Sequence, residues 1–99
     1  MKNFLDKFNK AFESRIRLGI MSALIVNDYV DFNTLKDLLS ATDGNLASHL
    51  KTLEKLNFVE MKKEFIGRKP NTQYKATEIG KEAFQGHLNA LENLIKNNK

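Results

Sequence analysis

The sequence predicts a mainly α-helical domain with one small β-hairpin. Three observations predict it. Large apolar residues recur every three or four positions at the start, in the middle and at the end of the chain. The period drops to two over two runs on either side of "IGRKPN". Gly67 and Pro70 punctuate that stretch, as a turn between two strands requires.

Length and composition fix the class. A chain of 99 residues suggests one domain, 1–99, with a modest core. With 41% apolar and 28% charged residues it has the balance of a soluble globular protein. No apolar run approaches the roughly 20 residues that span a bilayer, so no membrane partner is expected. The opening "MKNFLDKFNK" mixes charge with phenylalanine and is no secretory signal. Cysteine is absent, which excludes a disulfide framework and a thiolate metal site and suits a reducing cytoplasm. The formal net charge is +4. Residues 42–75 hold seven bases (Lys51, Lys55, Lys62, Lys63, Arg68, Lys69, Lys75) against four acids (Asp43, Glu54, Glu60, Glu64), so most of the surplus lies there. A local basic excess is what phosphate binding needs, though a lysine-rich solvated surface gives the same count.

Taken in order, Phe4, Phe8, Phe12, Ile16 and Ile20 repeat every four residues and predict an amphipathic first helix, with Gly19 a place where it loosens into two pieces. Residues 1–13 form its N-terminal extension. Val30 and Phe32 alternate around Asp31 as one small strand. Asn33 is a cap for a short helix whose Leu35, Leu38 and Leu39 face inward. Ser40 and Ala41 make a turn, and Thr42 caps the next helix by accepting the N–H of Gly44 or Asn45. After Asn57 comes a strand with Val59, Met61, Lys63 and Phe65 on one face. Its return strand carries Thr72, Tyr74 and Ala76 on a shared face. Thr77 then caps a last helix, 77–99, with Glu78 and Glu82 suiting the dipole at its start. Ile79, Phe84, Leu88, Leu91 and Ile95 mark its apolar stripe. Two short helices joined by a tight turn and followed by a basic hairpin are the parts of a helix-turn-helix with a wing.

The helix 42–57 has two chemically distinct sides. At about 100° per residue, Leu50, Leu53 and Leu56 fall within about 80° of Leu46 and form a buried face. Asn45, Ser48, Lys51, Thr52 and Lys55 lie opposite, between about 140° and 260°, with no acid among them. Asp43 and Glu54 fall at the sides. Such an arc suits a major groove: Asn45 and Ser48 can read base edges, and Lys51 and Lys55 can meet phosphate or guanine. Gly44 shares the arc inside the first turn, where glycine costs roughly 1 kcal/mol against alanine. Either it lets the helix start approach a phosphate or base pair closely, or it only eases the turn between two helices. The tip "GRKPN" exposes Arg68 and Lys69, either for a narrow minor groove or as a solvated turn.

Phe84, Leu88, Leu91 and Ile95 step by four, three and four, a coiled-coil-like seam. Together with Phe4, Phe8 and Phe12 it predicts either a two-fold homodimer through the terminal helices or intramolecular pairing of the first and last helices. A dimer would set two reading helices about 34 Å apart. Nothing predicts an enzyme. The lone His49 and His87 read as structural, no catalytic or nucleotide motif is present, and neither a cofactor nor a metal site is expected.

These residues resemble winged-helix regulators of the ArsR/MarR-like type. "SRIRLGIMSAL" resembles their opening helix, "DFNTLKDLL" and "TDGNLASHLKTLEKLNFVE" their helix pair, and "GRKPNTQYKATEIGKEAF" their wing and final helix entry. The resemblance implies DNA contact by Asn45, Ser48, His49, Lys51 and Thr52 and by wing residues Arg68 and Lys69, with dimerisation through the terminal helices. Ala76 departs from it, standing where a larger aliphatic is usual. The expectation is a winged helix-turn-helix transcriptional regulator, a repressor, that reads double-stranded DNA with helix 42–57 and contacts backbone or minor groove with wing 66–71. The alternative is a dimeric winged-helix protein-interaction module that leaves DNA alone. No residue pattern indicates a small-molecule effector.

Overall fold

The computed structural model describes residues 4–97. Two 3-10 turns, Phe4–Lys7 and Lys10–Phe12, precede helix α1, Arg15–Ile25. Then come strand β1, Val30–Asp31, and helices α2, Phe32–Leu39, and α3, Asp43–Lys55. Strands β2, Val59–Ile66, and β3, Lys69–Ala76, form the hairpin, and helix α4, Glu78–Asn97, closes the chain. The sheet is antiparallel in the order β1-β3-β2. The expected class, mainly α with a winged helix-turn-helix, is the observed one.

The core lies where α1, α3, the sheet base and the start of α4 meet. Ile20, Met21 and Leu24 from α1 pack with Leu35, with Leu46, Leu50 and Leu53 of α3, and with Val59, Tyr74 and Ala76 of the sheet. Ala76 is buried at a position where a small side chain fits. Leu38 and Leu56 are exposed, contrary to the expected inward stripes; α2 buries Leu35, with Leu39 half-buried beside it. Leu56 falls past α3, in its C-cap.

The N-terminal stripe is not one helix. Asn9 accepts the N–H of Ala11 at 2.9 Å and Ser14 that of Arg17 at 3.2 Å, so each caps a new start. Gly19 does not break α1; a side chain there would press on Leu39, so glycine lets α1 and α2 approach. Phe12 is 2% exposed and Phe84 is 5% exposed; both belong to the chain's own core, which corrects their place on an intermolecular seam. Phe12 stacks on Phe58 and meets Phe84 and His87 edge-on. Phe8, half-buried, also meets the His87 ring edge-on. His87 Nδ1 accepts the Asn9 N–H at 3.1 Å, so the histidine faces inward and ties the N-terminal segment to α4. The side chain of Phe4 lies outside the described residues. Ile79 is exposed, while α4 turns Phe84, Ala90 and the half-buried Ala83 inward. Leu88, Leu91 and Ile95 sit on its exposed flank.

Candidate nucleic-acid interface

Helix α2 starts on Asp31, not Asn33. The Asp31 carboxylate accepts the Thr34 N–H at 2.7 Å, and this bond holds its pKa below the ordinary carboxylate value. The helix ends at Ser40, whose left-handed φ of 49° turns the chain toward α3. Thr42 then caps α3, its hydroxyl accepting the Asn45 N–H at 3.2 Å. Lys36 of α2 pairs with Asp43 at 2.9 Å, and that bond raises the lysine's pKa. The acid in the first turn of α3 is therefore answered by a base from α2.

The side of α3 opposite its leucines is open. Gly44, Asn45, Ser48, Lys51 and Lys55 are exposed, and Thr52 is half-buried. Among the described residues, no segment covers this arc. Gly44 has open space where a side chain would go, and its φ is not among the positive values, which occur at Ser40, Asn57 and Gly67. Neither packing nor the inter-helix turn requires glycine there. Thr52 donates its hydroxyl to the Ser48 carbonyl at 3.2 Å, leaving an acceptor and a methyl for any outside partner. His49 faces the body of the protein. Arg17 donates from Nη1 to His49 Nδ1 at 3.0 Å and from Nε to the Ala11 carbonyl at 2.7 Å. The expectation that His49 lies on the reading surface is corrected accordingly: it braces α3 against α1.

The wing is longer and its turn tighter than residues 66–71 suggested. β2 and β3 pair from Val59↔Ala76 out to Ile66↔Lys69, leaving Gly67 and Arg68 as a two-residue turn. Gly67 has φ +65°, which glycine takes without strain at the first central position of a hairpin turn. Pro70 lies within β3, opposite Phe65. β1 pairs only with Gln73 and Tyr74, so the β3 edge beside Pro70 is open and no ladder bond is lost.

Strand alternation sorts the wing into two faces. Glu60, Lys62 and Glu64 share one face with Gln73 and Lys75. Lys62 bonds Glu64 at 2.7 Å and Lys75 lies 3.8 Å from Glu60, so both acids of this face are paired; Ile66 and Lys69 share the face at its tip. Lys62 and Lys75 also lie over the Tyr29 ring. The other face carries Met61, Lys63 and Phe65 with Pro70, Thr72 and Tyr74, and holds no acid. Met61 lines a groove with Ala47, Lys51, Glu54 and Lys55, so this face continues the exposed side of α3. Glu54 edges the groove and, after burial, is the second cause that raises the Tyr74 pKa. Lys63, outside the expected contact set, shares this face with Met61 and Phe65. The alternation made its face legible, but not which face turns to α3.

A family model described as winged helix DNA-binding domain matches residues 16–95. The chain belongs to that family. A Methanocaldococcus jannaschii protein of uncharacterized function is 42% identical over 88 residues, covering 89% of this chain and 96% of its own length. The solved transcriptional regulator homologue of Pyrococcus horikoshii OT3 superposes with a TM-score of 0.80 at 31% identity, over 87% of this chain and 85% of that one. The diamide-treated YodB of B. subtilis superposes with a TM-score of 0.77 at 18% identity, over 88% of this chain and 85% of that one, a likeness of fold alone. Membership in a DNA-binding family agrees with the expectation that the chain is no enzyme. Among the described residues, no helix is long and apolar enough to cross a membrane, and no cluster of histidines and acids is placed to hold a metal ion.

Proposed function

We propose that this winged-helix chain is a sequence-specific transcriptional repressor that binds duplex DNA as a homodimer. The observation that carries the reading is the open, acid-free arc of α3 and the acid-free face of the wing, which meet at the groove that Glu54 edges. Helix α3 enters the major groove, with Asn45 and Ser48 at base edges, each good contact worth roughly 1–3 kcal/mol. Lys51 and Lys55 from α3, with Lys63, Arg68 and Lys69 from the wing, meet phosphates and supply the salt-sensitive part of the affinity. Gly44 lets the first turn come close to the backbone. The exposed flank of α4, Leu88, Leu91 and Ile95, supplies the dimer contact. Repression follows from occupancy, since a bound dimer obstructs polymerase without needing a further segment.

Fluorescence anisotropy with a mixed-sequence duplex over a range of salt concentrations tests the proposal. Wild type should lose affinity steeply as salt rises, and Lys51→Ala and Arg68→Ala should each make the log–log slope shallower by about one. Binding that ignores salt, or no binding, would favour the protein-interaction module.

A further inference from the structure

The acid-free wing face ends on a feature that salt-dependent phosphate binding does not explain. Phe65 is 75% exposed. Its cross-strand partner on the same face is Pro70. Ile66↔Lys69 closes the two-residue turn, so Phe65 and Pro70 form the next, non-hydrogen-bonded pair, in which side chains stand closest. The wing therefore presents an aromatic ring beside a rigid pyrrolidine, with Lys63 behind it on the same face and Arg68 in the turn at the tip; Lys69 stands on the opposite face. A large apolar pair at the end of a cationic arm is poorly placed for water.

We propose that Phe65, backed by Pro70, is a wedge that enters the minor groove and partly unstacks a base step, bending the DNA to which α3 is bound. The inference rests on the DNA-binding reading and deepens it. Three things commit the pair to DNA. Lys63 on its face and Arg68 in the turn match a polyanion, and the acids of the hairpin lie on the opposite face, paired with Lys62 and Lys75. The face is continuous with the α3 arc through Met61. The reach also fits. Phe65 lies four residues beyond Met61, about 13 Å along the strand, while a minor groove lies about half a turn, roughly 17 Å, from the centre of the major groove. Apolar side chains inserted at such steps kink duplexes toward the major groove.

The chain contains no tryptophan, so Phe65→Trp gives a single emitter at the wing tip. On adding a mixed-sequence duplex, its emission should be quenched by stacking on bases. A duplex labelled at both ends should show its ends drawn together by wild-type protein. Wild type should also prefer a duplex carrying a mismatch, where unstacking costs less, by roughly tenfold. Phe65→Ala should lose the bend and the preference while keeping the slope of affinity against salt. Pro70→Ala should weaken both in part. Phe65 is exposed, so the variants should melt as wild type does. Duplex binding without bending, or a bend that survives Phe65→Ala, overturns the wedge and leaves the DNA reading standing. Failure to bind any duplex overturns both. A blue-shifted tryptophan on anionic phospholipid vesicles, with no quenching on DNA, would assign the tip to a lipid surface instead.

Discussion

Gly44 occupies the first turn of α3 with open space around it and an ordinary backbone conformation. Alanine is the better helix former by roughly 1 kcal/mol, so Gly44→Ala should leave stability unchanged or raise it by up to about that amount in a denaturant titration. Its duplex affinity should fall roughly tenfold, as a methyl displaces one N–H from a phosphate. Unchanged affinity would leave the glycine without a part in the contact. Both sides of α3 were legible from sequence because the helical period fixes buried and exposed positions together. His49 was not, because its inward bond depends on Arg17 reaching across from α1, a tertiary contact that no local pattern encodes.

At the scale of elements, boundaries follow side-chain acceptors more than apolar spacing. The phenylalanines of the N-terminal segment keep a helical repeat, yet Asn9 and Ser14 interrupt it by bonding nearby amides. The segment is held instead by Phe12 in the core and by His87. His87→Ala leaves the Asn9 N–H without its acceptor and should cost roughly 1–3 kcal/mol. Hydrogen exchange should speed up at Asn9; unchanged protection there would contradict the tie. Helix α2 depends on Asp31, whose carboxylate pKa is depressed in the fold by the Thr34 backbone bond. A depressed folded pKa gives stability that is present above the unfolded value, about 3.9, and is lost as pH falls through the folded value. Asp31→Ala should therefore cost about 1 kcal/mol near neutral pH. Asp31→Asn should retain much of the cap and flatten the acid limb of the stability curve. An acid limb identical to wild type would show that the carboxylate contributes nothing there. The hairpin was legible through its alternation and Gly67, but its length was not, since Pro70 read as a strand stop until the open edge of β3 was known.

Across the whole molecule, charge and apolar surface are segregated. The exposed arc of α3 and one wing face carry cations without acids, while the exposed flank of α4 carries Leu88, Leu91 and Ile95. Leu88, Leu91 and Ile95 define this flank in the sequence, while Phe84 of the same stripe turns into the core. Apart from Phe84, the inward side was hidden because it uses Gly80, Ala83, Ala90 and His87, small or polar residues that let the helix pack closely. A side chain at Gly80 would overlap the Phe58 carbonyl. Leu91→Glu combined with Ile95→Glu should convert the proposed dimer to a folded monomer in sedimentation and weaken binding to a two-half-site duplex more than to a single half-site. A variant that sediments as wild type would move the dimer contact elsewhere. The groove that receives α3 can be identified directly. The chain has no cysteine, so Ser48→Cys provides a single thiol on its exposed arc for an iron chelate that cleaves DNA by diffusing radicals. Cleavage of a bound duplex should be offset toward the 5′ ends of the two strands, the mark of a reagent in the major groove. An offset toward the 3′ ends, or an intact duplex with the protein demonstrably bound, would contradict that placement.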